Sequence, residues 1–147
     1  MIQFSDEILI NRPVEQVFTF VADLENTPKW QTGVVNSKKV SEGPIQTGTK
    51  FKEVVRVLGR PLDTICEITE YQLNRKMAFK STTSEAIEYE GQFTFESRDG
   101  GTRVDIAGTG ELKGLWRLVE PLFAGDIKKT VGDELKQIKR FLETQAE

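Results

Sequence analysis

The sequence predicts an α+β domain. A curved antiparallel sheet of about seven strands, with two short helices inserted after the first, wraps around a long C-terminal helix. Three observations predict it. Apolar residues alternate through the first ten positions and again, in shorter runs, between about residues 34 and 112. A helical spacing separates these two regions, and a second one fills the chain after Leu115. A sheet with one apolar face and one amphipathic helix buries both most simply by curling around the helix.

The first strand rests on Ile2, Phe4, Ile8 and Ile10, all on one parity, and Asn11-Arg12-Pro13 stops it. Pro13 suits a first helical turn, Glu15 complements the helix N-terminus, and Val14, Val17, Phe18 and Val21 follow at i, i+3, i+4 and i+7. Asp23 to Asn26 interrupts that helix. Thr27-Pro28 reads as the cap and first residue of a second, very short helix that Gly33 ends. "VVNSKKV" is the next strand, and the loop "SEGPIQTG" follows it. "TKFKEVVRVL" and "LDTICEITEY" are two longer strands joined at Gly59-Arg60-Pro61, and "KMAFKSTT" comes next. "AIEYEGQFTFE" alternates most cleanly, with Ile87, Tyr89, Gly91, Phe93 and Phe95 on one face. Asp99-Gly100-Gly101 is a hairpin signal. "TRVDIAGTGEL" returns with Val104, Ile106, Gly108, Gly110 and Leu112 inward. From Leu115, a stripe of Leu118, Leu122, Ile127, Val131, Leu135, Ile138 and Leu142 predicts a helical segment roughly 40 Å long, with Gly125 as a place for a bend. No repeat, low-complexity tract or linker divides the chain, so residues 1–147 are expected to form one domain.

Composition narrows the function. The net charge of -3 leaves no general basic surface for phosphate backbones, so nucleic acid is not an expected partner. No apolar run reaches the length of a membrane span and "MIQFSDEILI" has no signal core, which together suggest a cytoplasmic protein. One cysteine, Cys66, excludes an internal disulfide. The chain has no histidine. Serine-histidine and cysteine-histidine catalysis are therefore excluded, and neither a metal nor another cofactor is expected.

The stretches "INRPVEQVFTFVADLENTPKW", "GTKFKEVVRVLGR" and "DGGTRVDIAGTGELKG", with the C-terminal helix, resemble the START/birch-pollen-allergen (SRPBCC, helix-grip) superfamily. The resemblance is to its polyketide cyclase/dehydrase-like branch and covers nearly the whole chain. One departure is Arg12, where such proteins often carry Ser or Thr, so capping of the first helix is expected to fall to Asn11. The resemblance implies a deep apolar cavity between sheet and helix. The superfamily includes lipid and hormone binders as well as cyclases, so it does not choose an activity.

Candidate walls of such a cavity are Trp30, Phe51, Val55, Phe79, Tyr89, Phe93, Trp116, Leu122, Phe123 and Ile127. Each of them would serve equally as plain core, Trp30 included. Gly91, Gly108 and Gly110 either leave cavity space or mark barrel curvature, a bulge or close approach of the long helix. On the cavity reading, Gly108→Leu fills open space. Two polar residues share the apolar faces. The Tyr89 hydroxyl needs a partner if buried, and Glu53 has the parity of Phe51 and Val55. An inward Glu53 would anchor a polar ligand group or act as acid/base; a bulge would instead turn it to solvent. Cys66 is read as a small buried hydrophobe.

Three functions fit. The first is a module binding a hydrophobic or amphipathic small molecule. The second is a cyclase/dehydratase-type enzyme acting on a polyketide-like or carbonyl substrate through Glu53 and Tyr89. The third is self-pairing into a homodimer through the long helix or a sheet edge.

Overall fold

The computed structural model describes residues 1–57, 59–83, 87–121 and 125–144. Strand β1 (Ile2–Ile10) leads into helix α1 (Val14–Ala22) and a 3-10 helix (Leu24–Lys29). Strands β2 (Val34–Lys39), β3 (Lys50–Val57), β4 (Arg60–Gln72), β5 (Lys76–Thr83), β6 (Ile87–Arg98) and β7 (Gly101–Leu112) follow. A second 3-10 helix (Gly114–Val119) precedes the C-terminal helix α2 (Ile127–Glu143).

The strands form one antiparallel sheet in the order β1-β7-β6-β5-β4-β3-β2. Every link from β2 onward is to a neighbour in sequence, so only α1 and the first 3-10 helix must cross from one sheet edge to the other. Asp99 and Gly100 turn between β6 and β7 with positive φ at both, 49° and 83°, the geometry that suits the twist of two strands.

The inward face is apolar along most of its length. Phe18 of α1 is fully buried and packs edge-on against Tyr71 and Phe95, with ring centres 5.3 and 5.1 Å away. Helix α2 buries Val131, Leu135, Ile138 and Leu142, a four-three-four spacing that keeps one stripe inward. Its closest partner in the sheet is β1. The C-terminal end of α2 is tied down where β1 meets α1: the Asn11 N–H donates to the Glu143 carboxylate at 2.7 Å, and Lys139 donates to the Leu9 carbonyl at 2.9 Å.

Four expectations are corrected. The C-terminal segment is not continuous helix: α2 begins at Ile127 and its 17 residues span about 25 Å. Gly125 lies in the turn before it, and Leu115 and Leu118 are 85% and 79% exposed, so Leu118 is no part of the buried stripe. Asn11 does not cap α1. Pro13 precedes the helix and supplies no side-chain cap. The second short helix starts earlier than expected, because the Asp23 carboxylate accepts the Glu25 N–H and caps it, leaving Thr27 and Pro28 inside.

The fourth correction concerns the inward glycines. Gly91 and Gly108 are directly paired across β6 and β7. A Cβ on Gly108 would lie 2.6 Å from the Glu90 carbonyl oxygen and 2.7 Å from the Phe4 ring, and one on Gly91 would lie 2.9 Å from the Phe79 ring. Phe79 and Phe4 are the strand partners of these two glycines, so each ring lies over the glycine beside it. The missing side chains admit aromatic rings and close backbone approach, not open space. Gly108→Leu would collide with packed atoms. Gly110 is different, with nothing within 4 Å of a Cβ placed there.

Phe18→Ala should lower stability by about 3–5 kcal/mol in urea unfolding. Gly108→Ala should cost about 1–3 kcal/mol by overpacking, and Gly110→Ala should change little. Equal effects at the two glycines would show that the close approach at Gly108 does not limit the fold.

Candidate functional site

The inward face divides into two zones. Toward α1 it is sealed by Ile68, Met77, Phe93, Phe95, Val104 and Ile106, all buried. Toward the N-terminal end of α2 it loosens: Val55, Leu62, Phe79, Tyr89 and Ile127 are only half-buried. The register of the strands places these residues at one end of the sheet. A recess of about 280 Å³ lies at this end of the sheet, bordered by Met1, Ser81, Tyr89 and Gly110 and by Lys80, Glu88, Glu90, Thr109 and Glu111, which have the outward parity.

A polar cluster sits beside this loosened zone. Strand β3 runs without a bulge against β4, so Glu53 keeps the parity of Phe51 and points inward, 4% exposed. The Tyr89 hydroxyl donates to Glu53 Oε1 at 2.7 Å, and Ser37 Oγ donates to Oε2 at a longer 3.5 Å. Thr64, the partner of Glu53 on β4, is buried, and Cys66 is 2% exposed on the same face. Burial raises the Glu53 carboxyl above the usual range, and the two hydroxyl donors partly oppose that. Burial pushes the Tyr89 hydroxyl up, and the adjacent Cys66 and Glu53 push it further. The Cys66 thiol is raised for the same first reason, with the Glu53 charge next. Among the described residues, no cation contributes to the titration of any of the three.

The aromatic candidates meet around this cluster. Phe79 lies 6.1 Å from both Tyr89 and Phe93, and Trp30 meets Phe93 edge-on at 5.9 Å. Trp30 is 6% exposed, and its indole Nε1–H is buried without a protein partner among the described residues. Phe51 is fully buried beside Glu53 in the strand, and Ile127 packs against the core as the first residue of α2. Trp116 is half-buried in the second 3-10 helix and stands outside the core cluster. Leu122 and Phe123 lie outside the described residues.

Sequence reasoning missed three contributors. Ser37 escaped because β2 is irregular between Val34 and Asn36. Cys66 was taken only as a packing residue, although its strand parity already placed it with Thr64 on the Glu53 face. Glu134 of α2 was not among the candidate residues. Its carboxylate accepts the Thr32 backbone N–H in the loop after Trp30, and burial pushes its pKa up to about 7. No group of His, Cys, Asp and Glu among the described residues has the arrangement of a metal site. No helix among them is long and apolar enough to cross a membrane.

A curved seven-stranded antiparallel sheet closed over an amphipathic C-terminal helix, with a polar cluster on its apolar face, is the architecture of the START-like, helix-grip proteins. The family described as polyketide cyclase / dehydrase and lipid transport matches residues 1–143, and the chain belongs to that family. The fold is similar to that of a protein from Thermus thermophilus, at 22% identity and a TM-score of 0.78, covering 97% of this chain and 99% of that one. It is also similar to the Zhui aromatase/cyclase of a Streptomyces species, at 12% identity and a TM-score of 0.79 over 96% and 93% of the two chains. A START superfamily protein from Mycobacterium smegmatis gives 16% identity and a TM-score of 0.71 over 96% and 94%. No curated protein matches the chain in sequence.

Glu134 gives this region a pH dependence of definite sign. The folded protein holds its proton up to about pH 7, whereas the unfolded chain loses it near 4.5. Its contribution to stability is therefore full below about pH 4.5 and is lost as pH rises through about 7. Glu134→Gln keeps an acceptor for Thr32 and removes the titration. The urea midpoint of the variant, relative to wild type, should rise between pH 5 and pH 8. An unchanged difference would show that Glu134 titrates as in the unfolded chain.

Proposed function

We propose that residues 1–147 act as one cytoplasmic domain that binds a hydrophobic or amphipathic small molecule between the sheet and α2. The single observation that carries this reading is the buried Glu53–Tyr89–Ser37 cluster, set in an apolar aromatic face beside its loosened end. A fold gains nothing in stability from a buried carboxyl held only by hydroxyls, since replacement by apolar residues of similar volume would remove the desolvation cost. Such a group has a use if it orients a ligand whose body is held by apolar contact. The unpartnered Trp30 N–H supports the same reading, because an acceptor atom on a ligand would satisfy a buried donor. Membership in a family described for cyclisation, dehydration and lipid transport agrees with it.

One observation favours a second reading. The 2.7 Å bond from Tyr89 to a carboxyl whose burial raises its proton affinity is an arrangement that can deliver or accept a proton at a carbonyl substrate. That is the chemistry of a cyclase or dehydratase.

An apolar fluorescent probe should bind the purified protein, with amide shifts concentrated at Phe79, Tyr89 and the start of α2. Absence of binding, or shifts confined to the outer face of the sheet, would overturn the binding reading. Once a ligand or substrate is in hand, Glu53→Gln separates the two readings. If Glu53 only anchors, affinity falls and there is no turnover to lose. If it is catalytic, affinity holds and turnover drops by ~100-fold or more.

A further inference from the structure

Most exposed large apolar residues of the described chain are spread apart: Leu9 on β1, Val35 on β2, Val40 after it and Leu73 in the β4–β5 turn. Single exposures of that kind are ordinary on a protein surface. Leu115 and Leu118, the two most exposed among the described residues at 85% and 79%, share one short segment instead. That segment is the second 3-10 helix, which repeats every three residues, so side chains at i and i+3 stand in line. Leu115 and Leu118 form its outward row. Trp116 and Val119, both half-buried, form the row that leans on the protein. Gly114 turns the chain out of β7 with a φ of 58°, a conformation that side chains disfavour. Met1, 73% exposed, is held at the same end by a 3.2 Å bond from its amine to Glu120.

The charge around this row differs in sign from the chain as a whole. Lys113 to Thr130 carries four cations, Lys113, Arg117, Lys128 and Lys129, against two carboxylates, Glu120 and Asp126, in a protein of net charge -3. Glu120 faces the sheet, where it accepts the Leu112 N–H at 3.2 Å as well as the Met1 amine. Lys113 and Arg117 lean back on Glu88 of β6 and Glu111 of β7, at 3.4 and 3.1 Å, in exposed pairs that hold weakly in water. Lys128 and Lys129 are exposed in the first turn of α2, which has no carboxylate of its own. Lys128 lies at this same end, since it lines one space with Gln3 and Phe4. The protruding segments carry the cations, and the sheet behind them carries the carboxylates.

Two leucines clear of the protein, an indole at their base and flanking cations fit a surface that is apolar within and anionic outside. A protein partner would need a matched pocket for each leucine, and two copies meeting through this row would set Arg117 against Arg117. The boundary between lipid headgroups and acyl chains deforms around single side chains, favours an indole at headgroup level and offers phosphates to Lys and Arg. We propose that Gly114–Val119 docks the protein on an anionic lipid surface. Leu115 and Leu118 insert between the headgroups, and Lys113, Arg117, Lys128 and Lys129 meet the phosphates. The contact is peripheral and reversible, because so small an apolar row falls far short of what a spanning helix buries. It stands independently of the binding reading above, and it turns the loosened end of the inward face toward the bilayer.

The test is vesicle flotation at near-physiological salt, comparing phosphatidylcholine alone with phosphatidylcholine carrying about a third phosphatidylglycerol. The protein should bind the anionic vesicles at least about tenfold more tightly than the neutral ones, and added salt should weaken that binding. Trp30 is buried, so a blue shift of tryptophan emission on docking reports Trp116. Leu115→Ser combined with Leu118→Ser should abolish both flotation and the shift. Because both side chains are exposed, the urea midpoint of that variant should match wild type. Arg117→Gln should weaken binding by about fivefold, and Leu73→Ser, exposed in the β4–β5 turn, should leave it unchanged. Four results would each overturn the proposal: no binding to either vesicle, equal binding to both, binding that survives loss of both leucines, or a solution dimer that the double variant dissociates. The last would assign the row to a second copy of the chain.

Discussion

The closeness of strands β6 and β7 at Gly91 and Gly108 is the contact on which the curved sheet depends. Two bare Cα atoms face each other, and the rings of Phe79 and Phe4 lie over them from the flanking strands. A sheet of seven strands has one face to bury and only α1 and α2 to cover it. A flat sheet would leave much of that face in water, and β-carbons at these two positions would force the strands apart. The glycines thus permit curvature, and the rings restore apolar contact where the glycines contribute none.

With the sheet bent, the two ends of the inward face meet different fates. One receives α1 and the C-terminal half of α2, and its side chains interlock: Phe18 against Tyr71 and Phe95, Phe20 stacked on Phe141 at 4.8 Å. The other has the start of α2 and the second 3-10 helix, and its aromatic residues stay half-covered. Both buried carboxyls that burial raises, Glu53 and Glu134, belong to elements that border this second end or the loop behind Trp30. Polar groups that weaken the fold are thus kept away from the part that holds it together.

How much of this could be read from the residues follows from the period of each element. Strands β6 and β7 alternate without interruption, so Tyr89, Phe93 and the glycines took their correct face from parity alone. Glu53 was legible for the same reason, since β3 pairs with β4 in unbroken register. Ser37 was not. The shift between Val34 and Asn36 places Val34 and Ser37, three residues apart, on the same buried side, and alternation would have put Asn36 there. The C-terminal segment misled in another way. Leu115 and Leu118 fit a helical stripe by spacing, but the Gly114–Val119 segment is 3-10 and turns both outward. Spacing carries no information about where a helix stops when the residues on both sides are apolar. Glu134 and Thr32 meet only in the tertiary structure, and nothing in either local sequence announces the contact.

The sheet order has a consequence for how the chain assembles. Strand β1 is made before the other six, yet its sole partner in the sheet is β7, with Ile2 opposite Gly110 and Ile10 opposite Thr102. Everything from β2 to β7 can zip together by short hairpin steps, each neighbour arriving in turn. The first strand has no such option and waits, with its apolar side uncovered, until roughly three-quarters of the chain has emerged. Its helix arrives later still, because α2 packs mainly along β1. Closing a loop of that length is a late and entropically costly event, so the slowest step of folding is the capture of the leading strand by the trailing one. The charge of Glu7 on its outer face disfavours pairing of the waiting strand with another copy of itself on the ribosome.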